Sequence, residues 1–152
     1  MRSHQLTIGR TFALVVDHGE DLLSSLSRFC HDNAIRAGYI PTFVASFSEA
    51  DIVGTCQRLD NPGAPVRSAV HLRNTDGVGA GTVALDPATG EVRPHLHVAL
   101  GVKEHSATAH ASHLFNARVQ FSAELIVVEA AAPSFQRVPE PGLYGVPLLW
   151  FG

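Results

Sequence analysis

The chain has 152 residues, of which 45% are apolar and 16% are charged, and its formal net charge is −3. This length suits one ordinary domain that buries a core without the help of disulfides. The chain has eleven lysines and arginines and fourteen acidic residues, and Lys103 is the single lysine. This charge balance argues against a domain that binds a nucleic-acid backbone by itself. The charged fraction lies below the usual ~25%, which favours an oligomer that hides part of its surface.

The cellular setting follows from the cysteines and from the length of the apolar runs. Cys30 and Cys56 are too few for a disulfide framework, and both lie in apolar patterns, so we expect reduced, buried thiols. The N-terminal apolar run is too short for a signal peptide, and no stretch approaches the length of a membrane span. We therefore expect a cytoplasmic protein that does not bind a membrane.

A strand and a helix are the first predicted elements. Residues 11–16 (TFALVV) are mostly apolar, which predicts a strand covered on both faces at the centre of a sheet. After a turn at residues 17–19, apolar side chains recur every three or four positions, which predicts a helix that packs on the sheet and ends near Gly38. These side chains are Leu22, Leu23, Leu26, Phe29 and Cys30. His18 and His31 are expected to face solvent.

The next segment indicates a hairpin and a loop. Residues 39–47 alternate in hydropathy, which predicts a strand, and Pro41 places this strand at an edge or marks its start, because proline lacks a backbone donor. Residues 50–56 are predicted to form the second strand of a hairpin. Asn, Pro and Gly are concentrated in residues 58–65, which predicts a loop.

Two further short strands precede the histidine-rich stretch. Residues 68–73 predict one strand, residues 74–77 a turn, and residues 78–85 a second strand. Gly79 and Gly81 interrupt this second strand. A bulge is the favoured interpretation, and the close approach of a ligand or a neighbouring backbone is the alternative.

A hairpin and a long final strand complete the predicted sheet. The turn at residues 86–90 (DPATG) sets Thr82 and Ala84 across from the histidine strand. Residues 117–129 predict a strand with one apolar face and another that turns from polar to apolar midway. The members of the apolar face are Ala117, Val119, Phe121, Ala123, Leu125 and Val127. On the second face, Glu124 is solvated or paired with Arg118.

Five of the nine histidines lie between Glu91 and His113. Side chains in a strand alternate between faces, so His95 and His97 project from one face about 7 Å apart while Leu96 points to the other. The strand stops at Gly101, and the following loop can bring His110 or His113 back towards the pair. Three neutral imidazoles can bind Zn²⁺, Ni²⁺, Cu²⁺ or Fe²⁺ and leave one position for water or a small ligand.

Other metal motifs are absent from the sequence. There is no His-Glu-x-x-His helix of a metalloprotease and no Cys-x-x-Cys of a zinc finger. The candidate ligands are therefore His95 and His97, with His110 or His113 as the third ligand. A divalent ion is expected, with zinc as the first choice.

Residues 95–101 (HLHVALG) and 113–114 resemble the PPC domain, the plants-and-prokaryotes conserved domain. Its prokaryotic members have a His-x-His strand that ends in glycine, then a loop, then a Gly-Gly-His-Leu segment that leads into a long final strand. Ala111 and Ser112 stand where the family has the two glycines. The resemblance also covers residues 19–54 and extends to about residue 129. The plant signature Gly-Arg-Phe-Glu-Ile and the AT-hook are both absent.

This resemblance implies an α+β domain with a mixed, largely antiparallel sheet and one main helix packed on it. It also implies a homotrimer, a metal at His95, His97 and His113 with His110 as the alternate third ligand, and a DNA-associated or regulatory role. We expect a single domain over residues 1–152, with a core at about 8–130. The tail, residues 131–152, ends on four large apolar side chains and is expected to pack on the domain or on a neighbouring subunit.

Three functions remain open on the sequence alone. The first is the trimeric, metal-containing, DNA-associated binding module that the resemblance implies. The second is a small metal-dependent hydrolase or lyase that activates water or polarises a carbonyl, in which Glu91, Glu104, Glu124 or His110 would transfer protons. The third is a structural oligomer whose histidines are merely polar.

Overall fold

A computed structural model describes residues 1–54, 68–105 and 108–151. They form a single α+β domain in which one helix packs on a seven-stranded, mostly antiparallel sheet. In chain order the elements are β1 (Thr7–Asp17), α1 (Leu22–Asp32), β2 (Ala37–Gly54), β3 (Ser68–Leu85), β4 (Val92–Val102), β5 (Ala109–Ala132), β6 (Phe135–Glu140), a short 3-10 helix (Pro141–Leu143) and β7 (Val146–Phe151).

Strand pairing closes part of the sheet on itself. The strand order is β1-β5-β2-β3-β6-β7, and β4 pairs with both β3 and β5. Strands β2, β3, β4 and β5 therefore form a closed ring of antiparallel neighbours. β6 joins β3 through one parallel pair, Leu85 with Gln136. The sheet is thus mixed but largely antiparallel, as the resemblance implied.

The hydrophobic core lies between α1 and the ring of strands. Leu22, Leu26 and Cys30 of the helix are fully buried and pack in one cluster with Leu96, Leu100 and other strand residues. This confirms the predicted helix face. Burial raises the pKa of the Cys30 thiol to about 11, so the thiol stays protonated at neutral pH. Cys56 lies outside the described residues.

The two ends of α1 are closed by side-chain hydrogen bonds. The Asp21 carboxylate accepts the backbone N–H of Ser24 at 2.8 Å, a stabilising N-cap. At the other end the helix stops at Asp32, where the Asn33 amide donates to the Phe29 carbonyl at 2.9 Å. The predicted end near Gly38 was wrong, because Ala34 turns the chain with φ of 54° and Gly38 already belongs to β2.

Strand β1 is an edge strand, so its predicted central place was wrong. It pairs with β5, and from Phe12 onward its residues alternate between buried or partly buried and exposed. Phe12 packs against the core, whereas Val15 is 58% exposed. The apolar run at residues 11–16 therefore belongs to an edge strand with one buried face. Near the start of β1, Arg10 forms a bidentate ion pair with Glu129, with N···O distances of 2.7 and 2.9 Å. These hydrogen bonds lower the pKa of Glu129 to about 2.

Strands β2 and β3 are each 18 residues long, which corrects several shorter predictions. Residues 50–54 continue β2 without a turn, and residues 74–77 continue β3. Pro41 lies inside a central strand because a register shift between Ile40 and Phe43 places it in a bulge, where its missing N–H costs no ladder bond. The predicted loop at residues 58–65 lies outside the described residues.

The glycines of β3 let strand β4 approach closely, and the favoured bulge was wrong. The β3–β4 register runs unbroken from Thr75 and Val102 to Leu85 and Val92. A Cβ on Gly81 would overlap the carbonyl oxygen of His95 and come within 2.8 Å of Leu96. Close approach of a neighbouring backbone is therefore the correct interpretation.

Strand β5 carries the predicted apolar face with one exception. Phe121 has φ of 66° and is 72% exposed, because two residues are inserted in the β2–β5 register between Gln120 and Ala123. Its N–H donates to Nδ1 of His18 at 3.1 Å, so His18 is exposed as predicted but has a partner. Glu124 is exposed, and Arg118 donates to the carbonyl of Gly19 instead.

The tail folds back on the sheet as the β6–β7 hairpin. Phe135, Leu149 and Phe151 form a small second cluster with alanines of β2, β3 and β5. Trp150 is 38% exposed, and the guanidinium of Arg2 lies 3.8 Å above its ring. No helix in the described part of the chain has the length and apolar character needed to cross a bilayer.

Replacing Gly81 by alanine is expected to destabilise the domain, because the new Cβ would push β4 away from β3. We expect a loss of about 1–3 kcal/mol, typical of overpacking, and a melting temperature lower by ~2–12 °C. Differential scanning calorimetry measures the shift. The control is Gly142→Ala, whose Cβ would meet Glu140 at an ordinary 3.4 Å. Equal melting temperatures for the two variants would contradict the close approach.

Candidate metal centre

Strand pairing brings three histidines of β4 and β5 together. His95 and His97 alternate with Leu96 and Val98, which are buried in the core. The two histidines therefore project from the face of the sheet turned away from α1, here called the outer face. His113 of β5 pairs directly with His97, and directly paired residues of antiparallel strands share a face.

The three imidazole rings are in mutual contact. Their centroids are 5.3 Å apart for His95 and His97, 4.7 Å for His95 and His113, and 5.5 Å for His97 and His113. One ligand nitrogen from each ring lies within 4.8 Å of the other two. This is the group of potential metal ligands that the described residues contain.

The donor set and spacing fit a tetrahedral zinc ion. Zinc bound to imidazole nitrogens at 2.0–2.1 Å needs those nitrogens about 3.4 Å apart. Starting within 4.8 Å, each ring has to move inward by less than about 1 Å, which small side-chain rotations provide. Three neutral imidazoles would hold the ion and leave the fourth tetrahedral position free.

The surroundings of the group are open and made of small side chains. His97 is exposed, and His95 and His113 are half-buried. Ala80 pairs with His97, and Ala99 pairs with Ala111 on the same face. Alanine side chains fill little space, so a small molecule would have room to approach a bound ion from the outer face.

His110 lies outside this group. It pairs with the buried Leu100, which places it on the face opposite to His113, three residues further along β5. The structure therefore brings together the primary set of the sequence analysis and leaves the alternate third histidine apart. His105, in the loop after β4, is exposed.

The carboxylates considered as proton-transfer groups also lie outside the group. Glu91, Glu104 and Glu124 are all exposed. Glu91 lies near Arg93, at 3.9 Å, and Glu124 pairs across strands with Val15 and Val44. None of them completes the ring of histidines as a fourth ligand.

Sequence reasoning missed one cation beside the group. Arg137 of β6 donates from Nη2 to the hydroxyl of Thr82 at 2.8 Å, and Thr82 pairs directly with His95. Burial lowers the pKa of Arg137. The turn at residues 86–90 led to the correct prediction that Thr82 lies opposite the histidine strand. The sequence of the tail, however, does not indicate that Arg137 folds back onto Thr82.

Comparison with known proteins identifies the family. The family model of the Plants and Prokaryotes Conserved (PCC) domain matches residues 3–131. No curated protein matches the chain.

Solved structures share the fold along nearly the whole chain. A PPC protein from Pyrococcus horikoshii superposes with a TM-score of 0.82 at 25% identity, covering 99% of this chain and 97% of that one. A metal-containing protein from Archaeoglobus fulgidus gives 0.82 at 22% identity, covering 99% of both chains. A candidate DNA-binding protein from Ralstonia eutropha gives 0.75 at 18% identity, covering 92% of this chain and 90% of that one. The resemblance to the PPC domain is thus confirmed, and the chain belongs to the Plants and Prokaryotes Conserved domain family.

Proposed function

We propose that this protein is a stand-alone, homotrimeric PPC module in which His95, His97 and His113 hold one zinc ion. We further propose that it serves a DNA-associated regulatory role through partner proteins. The observation that carries the proposal is the meeting of three imidazoles on one sheet face, with ligand nitrogens within 4.8 Å of one another.

Zinc is supported by the ligand chemistry of the group. All three donors are imidazoles, which suit zinc and other first-row ions, whereas magnesium and calcium prefer oxygen ligands. A structurally similar protein from Archaeoglobus fulgidus is described as metal-containing. A third function, in which the histidines are only polar surface groups, does not account for their convergence from two strands.

Replacing His97 by asparagine is expected to abolish zinc binding, because it removes one of three ligands. The affinity should fall by more than the ~10–100-fold that loss of a supporting hydrogen bond costs a metal site. Zinc content after dialysis, measured by mass spectrometry on tag-free protein, should drop from about one ion per chain to none. The matched control is His110→Asn, which changes the nearby histidine outside the group. Equal zinc loss in both variants, or none in either, would contradict the assignment.

The trimer is supported by a row of mostly apolar side chains across the outer face, interrupted by Glu124. Strand register aligns Val15, Glu124, Val44, Val78, Ala99 and Ala111 from β1 to β5. Val15, Val44 and Val78 are 58%, 51% and 51% exposed. β-branched side chains in such a row are costly to leave in water and favour contact with another subunit. The zinc site lies on the same face, so a trimer built on this row has its metal sites beside the interfaces.

Replacing Val44 by glutamate is expected to dissociate the trimer. The new carboxylate would face Glu124, its cross-strand partner, and like charges are unfavourable in a buried interface. Light scattering during size-exclusion chromatography should show the mass of three chains for the wild type and of one chain for the variant. Val70→Glu, at the far end of β3, is the control and should remain trimeric. A wild type that elutes with the mass of one chain overturns the trimer.

The DNA-associated role is supported by the family and by relatives, and the charge distribution favours a role through partners over direct binding. The relative from Ralstonia eutropha is described as a candidate DNA-binding protein. This chain has a net charge of −3 and a single lysine. Two of its arginines, Arg10 and Arg28, are already engaged with Glu129 and Glu20. Phosphate binding requires clustered free cations.

Affinity for naked duplex DNA is therefore expected to be no tighter than about 1 µM at 150 mM salt, the non-specific range. Fluorescence anisotropy of a labelled duplex, titrated with zinc-loaded protein at 20 and 150 mM NaCl, measures it. Nanomolar binding at 150 mM salt would contradict mediation by partners and would favour direct DNA recognition.

A further inference from the structure

We infer that Arg137 is the carboxylate-binding residue of the three-histidine site, and that the site takes a small carboxylate shared between the metal ion and the guanidinium. The inference rests on the zinc site proposed above. Arg137 lies outside residues 3–131, which the family model matches, so it belongs to the tail of this chain.

The guanidinium of Arg137 is only partly used by the protein. Nη2 donates to the Thr82 hydroxyl at 2.8 Å, and Nη1 makes a long contact of 3.5 Å with the carbonyl of Pro147. Nε is buried and has no hydrogen-bond partner within the described ranges. A guanidinium has five N–H donors, so three of them have no protein partner among the described contacts.

A half-buried cation in this state favours an anionic ligand. The ion pairs that the structure describes for arginines involve Arg10, Arg28 and Arg93, and none involves Arg137. Burial without a counter-charge lowers the pKa of Arg137, because desolvation disfavours the charged form. Burying a charged group is unfavourable unless it is paired and hydrogen-bonded, and a bound carboxylate would provide both.

Strand register places this cation beside the histidines. Tyr39, Thr82 and His95 are direct partners across β2, β3 and β4 and so lie in one row on the outer face. Directly opposed residues have Cβ atoms about 4.5–5.5 Å apart. The hydrogen bond to Thr82 therefore holds the guanidinium next to His95, within reach of a ligand of a few atoms on the metal.

Carboxylate chemistry matches the two halves of the site. One oxygen can occupy the open position of a three-histidine zinc ion, and the other can accept hydrogen bonds from the planar guanidinium fork. The alanines at positions 80, 99 and 111 leave space for a small ligand beside the metal. The ligand class is therefore a small carboxylate, of which glycolate is a simple probe because its hydroxyl can also bind the metal.

The test is isothermal titration calorimetry of the zinc-loaded protein with glycolate, with inorganic phosphate in a parallel titration. Arg137→Met is expected to weaken glycolate binding by roughly 10–100-fold, the effect of losing charge-assisted hydrogen bonds, while zinc content stays at the wild-type level. Thr82→Val keeps the charge but removes the acceptor that holds it, and should weaken binding by about 3–10-fold. Arg36→Met, an exposed arginine outside the row, is the matched control and should bind as the wild type does.

The possible outcomes separate the two proposals. Zinc binding with equal glycolate affinity in wild type, Arg137→Met and Thr82→Val would overturn the role of Arg137 and leave the zinc site intact. Phosphate binding that depends on Arg137 more strongly than glycolate binding would overturn the assignment to carboxylates. If Arg137→Met fails to fold, equal affinity of Thr82→Val and the wild type overturns the inference by itself. A wild-type chain that binds no zinc overturns both proposals.

Discussion

The rest of the structure depends on the unbroken antiparallel register of β3, β4 and β5. Because β4 is hydrogen-bonded on both sides, every second residue is committed to the core and the others to the outer face. A slip of one residue would turn His95 and His97 into the core and expose Leu96. The buried Leu96 and Leu100 therefore hold the histidines in place. The glycines of β3 contribute by allowing the β4 backbone to approach more closely than any side chain would permit.

The two faces of the sheet thus have different roles. The inner face packs on α1 and supplies stability through a continuous apolar cluster. The outer face combines a polar site with exposed valines at positions 15, 44 and 78. Within the described part of one chain these valines face solvent. Contact with another copy would cover them. The proposed metal site and the proposed interface share that face, so binding at one is in a position to influence the other.

The tail, which lies beyond the residues that the family model matches, adds a cation beside the three histidines. β6 joins the sheet by one parallel pair, and the aromatic cluster of Phe135 and Phe151 anchors the hairpin on the alanines beneath it. This anchoring carries Arg137 to Thr82, where its charge is partly removed from water. A hydrophobic contact at the end of the chain thereby positions a cation beside three imidazoles.

The sequence by itself determined those features that depend on local periodicity. Alternation placed His95 and His97 on one face, the three- and four-residue spacing of leucines produced α1, and the turn at residues 86–90 set Thr82 opposite the histidine strand. Features that depend on distant pairing were decided by tertiary structure. The edge position of β1, the fusion of short predicted strands into β2 and β3, and the choice of His113 over His110 for the group all follow from hydrogen-bond register. Arg137 reaches the site only because the tail folds back on the sheet. The residues next to Arg137 in the sequence do not indicate which distant side chain it contacts.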